Sequence, residues 1–304
     1  MEAHILSKLE GSLSHNIEDY PGGIIIPIDK PYRWTSADVI RKIKYASIRH
    51  FNKKNLKVGH AGTLDPLATG VLIVCIGNAT KLAESLQSHD KEYVAGFTFG
   101  ATTPSYDLEK EIDRFFPYKH ITESSVNEAI KGFIGRQEQV APLFSAKSID
   151  GVRAYELARK LHKQGGSMDD AARELIRTSI ITINDMELLS FSSGDASPVE
   201  KAMDGQSEPS SPSAVETSST VETSSAVETS SASNRINVTD NSSLGLPRAV
   251  IRISCSKGTY IRAIARDLGE ALGSGAHLSS LQRSASGAFR IENALSIEQA
   301  ITLL

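Results

Sequence analysis

Cysteine is nearly absent: Cys75 and Cys255 are the two such residues among 304. Two isolated thiols make neither a disulfide framework nor a zinc site. Each lies in an apolar, strand-like run (Val71 to Ile76 and Val250 to Cys255), where a small buried side chain is expected. No apolar run approaches the length that spans a bilayer, and Met1 to Tyr20 mixes charge with polarity and has no signal-peptide core. The expectation is a cytoplasmic chain with no membrane contact. No Gly-Lys-[Ser/Thr] is present to grip a triphosphate and its metal in the segment that most resembles a phosphate loop, and no Gly-x-Gly-x-x-Gly follows a strand and opens a helix.

The chain is also short of positive charge overall, at a formal net charge of -3. The average conceals a split. Between Ser190 and Gly245 eight acids face only Lys201 and Arg235, so that segment carries -6 and the remainder +3. From Arg41 to Lys57 there are seven basic residues and no acid. A run of this kind suits either a solvated helix face or a phosphate backbone.

Around residues 213 to 230 the motif Val-Glu-Thr-Ser-Ser recurs in three imperfect copies. Such Ser/Thr-rich repeats bury too little apolar surface to offset the entropy of ordering, so 193–245 is read as a disordered insertion. Residues 1–21 read as an N-terminal extension, and 22–192 with 246–304 as one folded domain. Thr35 to Asp38 carries a helix cap ahead of Val39, Ile40 and Ile43. Val71 to Ile76 reads as a strand buried on both faces, and Tyr93 to Phe99 as a half-buried strand. A helix follows Thr122, another spans Tyr155 to Lys163, two strands lie near 176–183 and 186–191, and a third covers Ala249 to Cys255. Gly258 leads into a further helix, and Ser296 to Leu304 forms a tail helix. Alternating strands with short gaps predict an α+β fold with a mixed, largely antiparallel central sheet flanked by helices.

Chemistry concentrates in Gly59 to Leu82, GHAGTLDPLATGVLIVCIGNATKL. An aspartate in a Gly/Thr loop at a strand edge can be a catalytic carboxylate, fixed by the sheet and open to substrate. It can equally cap its own turn. The residues alone leave both readings open for Asp65. A second segment, Cys255 to Arg262, sets Lys257, Tyr260 and Arg262 at a strand end and helix start.

Four blocks, in order, resemble those of the TruB-type tRNA pseudouridine synthases. They are Ile28-Asp29-Lys30-Pro31 with Thr35-Ser36; Gly59 to Leu82; Lys91-Glu92-Tyr93-Val94; and Cys255 to Gly269 with Leu281-Gln282-Arg283 and Gly287-Ala288-Phe289. The resemblance implies the pseudouridine synthase fold and isomerisation of the TΨC-arm uridine (position 55) of tRNA, with no cofactor and no metal. It implies Asp65, Tyr93 and Arg262 as the catalytic set. His60, Gly62, Thr63, Lys30, Lys81, Tyr260 and Leu281 would be substrate-side positions. Only fifteen residues follow Phe289, so the C-terminal PUA-like RNA-binding domain of longer members is expected to be absent; that favours a stand-alone enzyme, with a monomer as the simpler expectation. One block departs from the family: Ala141 to Ser148 carries Phe144 where a tyrosine is usual, and its lysine stands at 147.

Overall fold

Capping chemistry sets where the helices begin. Thr35 Oγ1 accepts from the Asp38 amide at 3.1 Å and Asp38 Oδ2 accepts from the Thr35 amide at 3.1 Å, so two donors that a helix start leaves orphaned are paired reciprocally. Thr122 with Ser125 and Ser296 with Gln299 repeat the device. The computed structural model describes residues 2–8, 11–145, 147–149, 152–163, 168–194 and 236–304.

The strands are β1 (His4–Ile5), β2 (Ile24–Lys30), β3 (Val58–His60), β4 (Ala68–Ile76), β5 (Lys91–Phe99), β6 (Ala101–Thr102) and β7 (Arg114–Phe115). They continue with β8 (Gly135–Gln139), β9 (Ser148–Ile149), β10 (Val152–Arg153), β11 (Ser179–Ser192), β12 (Arg248–Cys255), β13 (Ala276–Ser286) and β14 (Phe289–Arg290). The α-helices are α1 (Ser36–His50), α2 (Ala83–Ser88), α3 (Glu123–Lys131), α4 (Ala154–Lys163), α5 (Met168–Leu175), α6 (Ile261–Ala271) and α7 (Ile297–Leu303).

One sheet dominates, ordered β1-β2-β4-β13-β5-β12-β11-β8, with β3 pairing β4 and β14 pairing β13. Its pairings are antiparallel apart from β1 with β2 and β4 with β13, so the mixed, largely antiparallel expectation holds. As its apolar run requires, β4 is covered on both sides. Leu72, Val74 and Ile76 join the main core, while Val71, Ile73 and Cys75 pack with Ala61 and Ala79 on the other side. Both cysteines are buried and free, and burial pushes each thiol up to about 11, well out of the reactive range.

Two expectations need correction. Strand β5 is more than half-buried: from Ala95 onward every residue is buried, because β13 and β12 flank it and helices cover the sheet. The two strands expected near 176–183 and 186–191 are one, β11, whose pairing with β12 slips between Ile183 and Asp185. A bulge shifts the alternation there, which makes one strand read as two. Of the insertion expected over 193–245, residues 195–235 lie outside the described residues. Residues 236–245 are described, and Thr239 there donates its amide to Leu108 O at 2.8 Å.

The pairing of β4 with β13 depends on Gly70, where the two backbones approach most closely. Gly70 has φ +98°, and a Cβ there would lie 2.3 Å from the Arg283 carbonyl oxygen. Gly70→Ala is expected to lower the unfolding free energy by about 2–4 kcal/mol in urea titration, from backbone strain plus the clash; an unchanged midpoint would contradict this reading of the crossover.

Candidate active site

Asp65 sits in the loop between β3 and β4, and three buried side chains fix that loop. Ser36 Oγ, at the start of α1, accepts from the Leu64 amide at 3.0 Å and donates to the Leu64 carbonyl at 3.2 Å. Lys30, at 0% exposure, donates to the carbonyls of Pro31, Trp34 and Pro66 at 2.9, 2.6 and 3.2 Å. Arg283, at 1% exposure, reaches from β13 to donate to the carbonyls of Val71, Gly62 and Thr63. The turn itself is closed by backbone, with the Ala68 amide donating to Asp65 O at 3.1 Å.

The Asp65 side chain is therefore not needed as a cap. Its Oδ2 accepts from Arg262 Nε at 2.8 Å, across 197 residues of sequence. Arg262 enters from the first turn of α6 and is 7% exposed at the side chain, against 36% for Asp65. One partner is thus buried while the other faces the opening. Arg262 Nη1 donates to the carbonyls of Ser105 (3.1 Å) and Phe144 (2.8 Å), and Asp107 Oδ2 stands 3.7 Å from Nε. Burial works against the guanidinium's charge, but Asp65 and then Asp107 outweigh it and hold the group above its ordinary range. Asp107 is itself oriented, its Oδ1 accepting from Ser105 Oγ (2.6 Å) and the Glu109 amide (3.0 Å). The start of α6 is set by Gln139, whose side chain accepts from the Tyr260 amide at 2.8 Å and donates to its carbonyl at 3.2 Å.

Tyr93 lies on β5, opposite Arg283 of β13 and Ile253 of β12 in the sheet. Burial pushes its phenol up, with Arg283 opposing. Tyr93, Asp65, Gly62, Thr63, Tyr260 and Leu281 share the wall of one cleft, together with Lys91, Lys147, Lys257 and Arg283. A second, mostly apolar hollow is lined by Tyr32, Leu67, Asp107, Arg262 and Leu278. Asp65 and Leu281 line both.

The expected substrate-side residues thus divide. Gly62, Thr63, Tyr260 and Leu281 line the cleft, whereas Lys30 is buried beneath the loop and His60 lies on β3 opposite Val74, off the cleft wall. Burial, then Arg283, pulls the His60 imidazole below its usual range. Lys81 lines a separate hollow with Lys53 and Lys57. Residue-level reading passed over Arg283 and Asp107 as site residues; the signal for Arg283 is an arginine at a position flanked by Leu281 and Ala285 in a strand pattern. Phe144 serves through its backbone carbonyl, so the missing hydroxyl does not touch the bond to Arg262.

The fold is shared with solved structures at low identity. A chain of a Cbf5–Nop10–Gar1 complex matches with TM-score 0.54 and 22% identity, over 98% of this chain and 59% of that one. A chain of an H/ACA ribonucleoprotein bound to a substrate RNA containing 2′-deoxyuridine matches with TM-score 0.50 and 22% identity, over 91% and 51%. This chain thus spans between half and three-fifths of their length. The fold is that of the pseudouridine synthases, and it sets the half-open Asp65 carboxylate against the buried Arg262 guanidinium. The model for the N-terminal domain of TruB family pseudouridylate synthases matches residues 49–199, and that for the tRNA pseudouridylate synthase B C-terminal domain matches 262–303. The tRNA pseudouridine synthases B of Phocaeicola vulgatus and Bacteroides thetaiotaomicron are 43% and 42% identical, each match covering 92% of both chains. That of Deinococcus radiodurans is 36% identical over 90% of this chain and 77% of its own. The chain belongs to the TruB family of pseudouridylate synthases.

Burial pulls the Lys30 ammonium down to about 8 from 10.5, with Asp65 opposing. Between those values the unfolded chain holds more protons than the folded one, so this contribution to stability grows as pH rises from about 8 towards 10.5. Denaturation of wild type and Lys30→Met at pH 8 and 10 should therefore show wild type gaining on the variant at the higher pH. A constant difference would mean that Lys30 titrates alike in both states.

Proposed function

We propose that this chain is a tRNA pseudouridine synthase that isomerises the TΨC-arm uridine, position 55, and that it works as a single chain in the cytoplasm. The observation that carries the reading is the half-open Asp65 carboxylate held at one oxygen by the buried Arg262. All the groups invoked come from one chain, and no helix among the described residues is long and apolar enough to cross a membrane. The 43% identity to a named tRNA pseudouridine synthase B, set against 22% to the ribonucleoprotein chains, favours free tRNA over a guide-RNA complex.

In this reading Arg262 fixes Oδ2, leaving Oδ1 to meet the ribose of an extruded uridine. A base inside a folded RNA loop must leave its stack first, at about a few kcal/mol. Tyr93 offers an aromatic face on the cleft wall, and base–aromatic stacking returns about 1–3 kcal/mol. The N1–C1′ bond then breaks, the uracil rotates, and a C5–C1′ bond forms. The proton on C5 is lost and N1 is protonated. Atoms and electrons balance within the nucleotide, so the reaction needs no cofactor. Asp65 starts the sequence either by attacking C1′ or by removing a neighbouring sugar proton. Arg262 is preorganised to steady the carboxylate as its charge changes. Lys257, with the partly buried Lys147, gives the cleft a cationic wall suited to the phosphates beside the target nucleotide.

Incubation of the protein with unmodified tRNA transcript, followed by pseudouridine mapping, should place product at the TΨC-arm uridine. Asp65→Asn should lower turnover by at least about 10³-fold with tRNA binding retained. Product elsewhere, or full activity in Asp65→Asn, would overturn the assignment.

A further inference from the structure

The basic run noted in the sequence is not part of the cleft. Lys44 on α1 and Lys54 and Lys57 in the α1–β3 connection line a shallow hollow with Asn55, Gly59 and Thr80. An adjoining hollow contains Lys53, Lys57 and Lys81. All five lysines are exposed. Lys53 pairs with Glu18 at 2.9 Å, whereas among the described residues Lys44, Lys54, Lys57 and Lys81 have no carboxylate partner. On α1, by contrast, Arg41 pairs with Asp38 at 2.7 Å.

Topology ties this surface to the cleft. Strand β3 pairs with β4 at Val74 to Ile76, and β13 pairs with the same strand at Ala68 to Gly70. The loop carrying Asp65 runs between them, its Ala61 amide donating to Ile73 O at 2.9 Å. The basic hollow and Asp65 therefore lie towards opposite ends of β4; the chain from Gly59, in the hollow, to Asp65 reaches about 20 Å when extended. That is too far for the phosphates of one extruded nucleotide, and well suited to a helical part of the same RNA.

We infer that the Lys44–Lys54–Lys57 surface is a second RNA-docking site, which takes the phosphodiester backbone of the tRNA body outside the arm that enters the cleft. This inference rests on the proposed function for the identity of the RNA. It gives a role to the exposed lysines gathered on this flank. Contacts of this sort set register without reading bases.

The test measures affinity for full-length unmodified tRNA and for the isolated TΨC stem–loop, across 50–200 mM salt, in wild type and in a Lys44→Glu/Lys54→Glu/Lys57→Glu variant. The matching Lys→Gln triple variant guards against misfolding from charge reversal. Full-length tRNA binding should weaken at least tenfold in the Glu variant and less in the Gln variant. Its log–log salt slope should fall by about two to three in magnitude. Stem–loop affinity should stay within about twofold. Unchanged full-length affinity, or an equal loss for both RNAs, would overturn the second site. Pseudouridine mapping of both RNAs with the wild-type protein separately decides the catalytic reading, so the two can fail independently.

Discussion

A buried guanidinium has five donors to satisfy and a charge to balance, and Arg262 meets those demands by drawing four parts of the chain to one point. Asp65 arrives from the β3–β4 loop, Ser105 and Asp107 from the segment after β6, Phe144 from the segment after β8, and Arg262 itself from α6. Removing any acceptor leaves a desolvated donor, which costs more than the bond contributed. Arg283 imposes the same condition one layer away, where three carbonyls around the Asp65 loop answer it. Placing Asp65 is therefore a consequence of satisfying two buried cations. Its own partial exposure is what remains available for chemistry.

Much of this was legible in the residues. The caps at Thr35, Thr122 and Ser296 announce helices because orphaned amides need acceptors nearby in sequence. The continuous apolar run of β4 announces burial on both faces. For Asp65, the loop composition left a turn cap and a catalytic acid equally open; the structure closes the turn by backbone and turns the side chain to Arg262. What stayed hidden was long-range. Nothing local says that β13, with Ser279, Ser280, Gln282 and Arg283 in its run, lies between β4 and β5. Its polar residues disguise a central strand: Ser279 and Ser280 line the hollow beside Asp65, and Arg283 holds the loop. Likewise Lys30 reads as a substrate-side cation, while the structure gives its ammonium three carbonyls beneath the loop.

The segment returning from the insertion is a further case. Thr239 donates its amide and hydroxyl to Leu108 O, and its hydroxyl also contacts Lys110 O, within the loop that presents Asp107. Arg33, in the left-handed region at φ 63°, donates to Ile236 O at 2.6 Å. Composition alone marks 193–245 as one low-complexity stretch, yet its last residues join the wall beside the site. Such contacts depend on partners more than a hundred residues away, and no periodicity encodes them.

In the proposed reaction Arg262 fixes Asp65 for chemistry, and RNA affinity resides elsewhere. Single-turnover pseudouridine formation and tRNA affinity in Arg262→Lys test it most directly. A lysine keeps the charge but lacks the planar fork that sets Nε on Asp65 and Nη1 on two carbonyls. The account predicts a rate loss of about 10²-fold or more with affinity within about twofold. An unchanged rate, or a loss wholly explained by weaker binding, would contradict it.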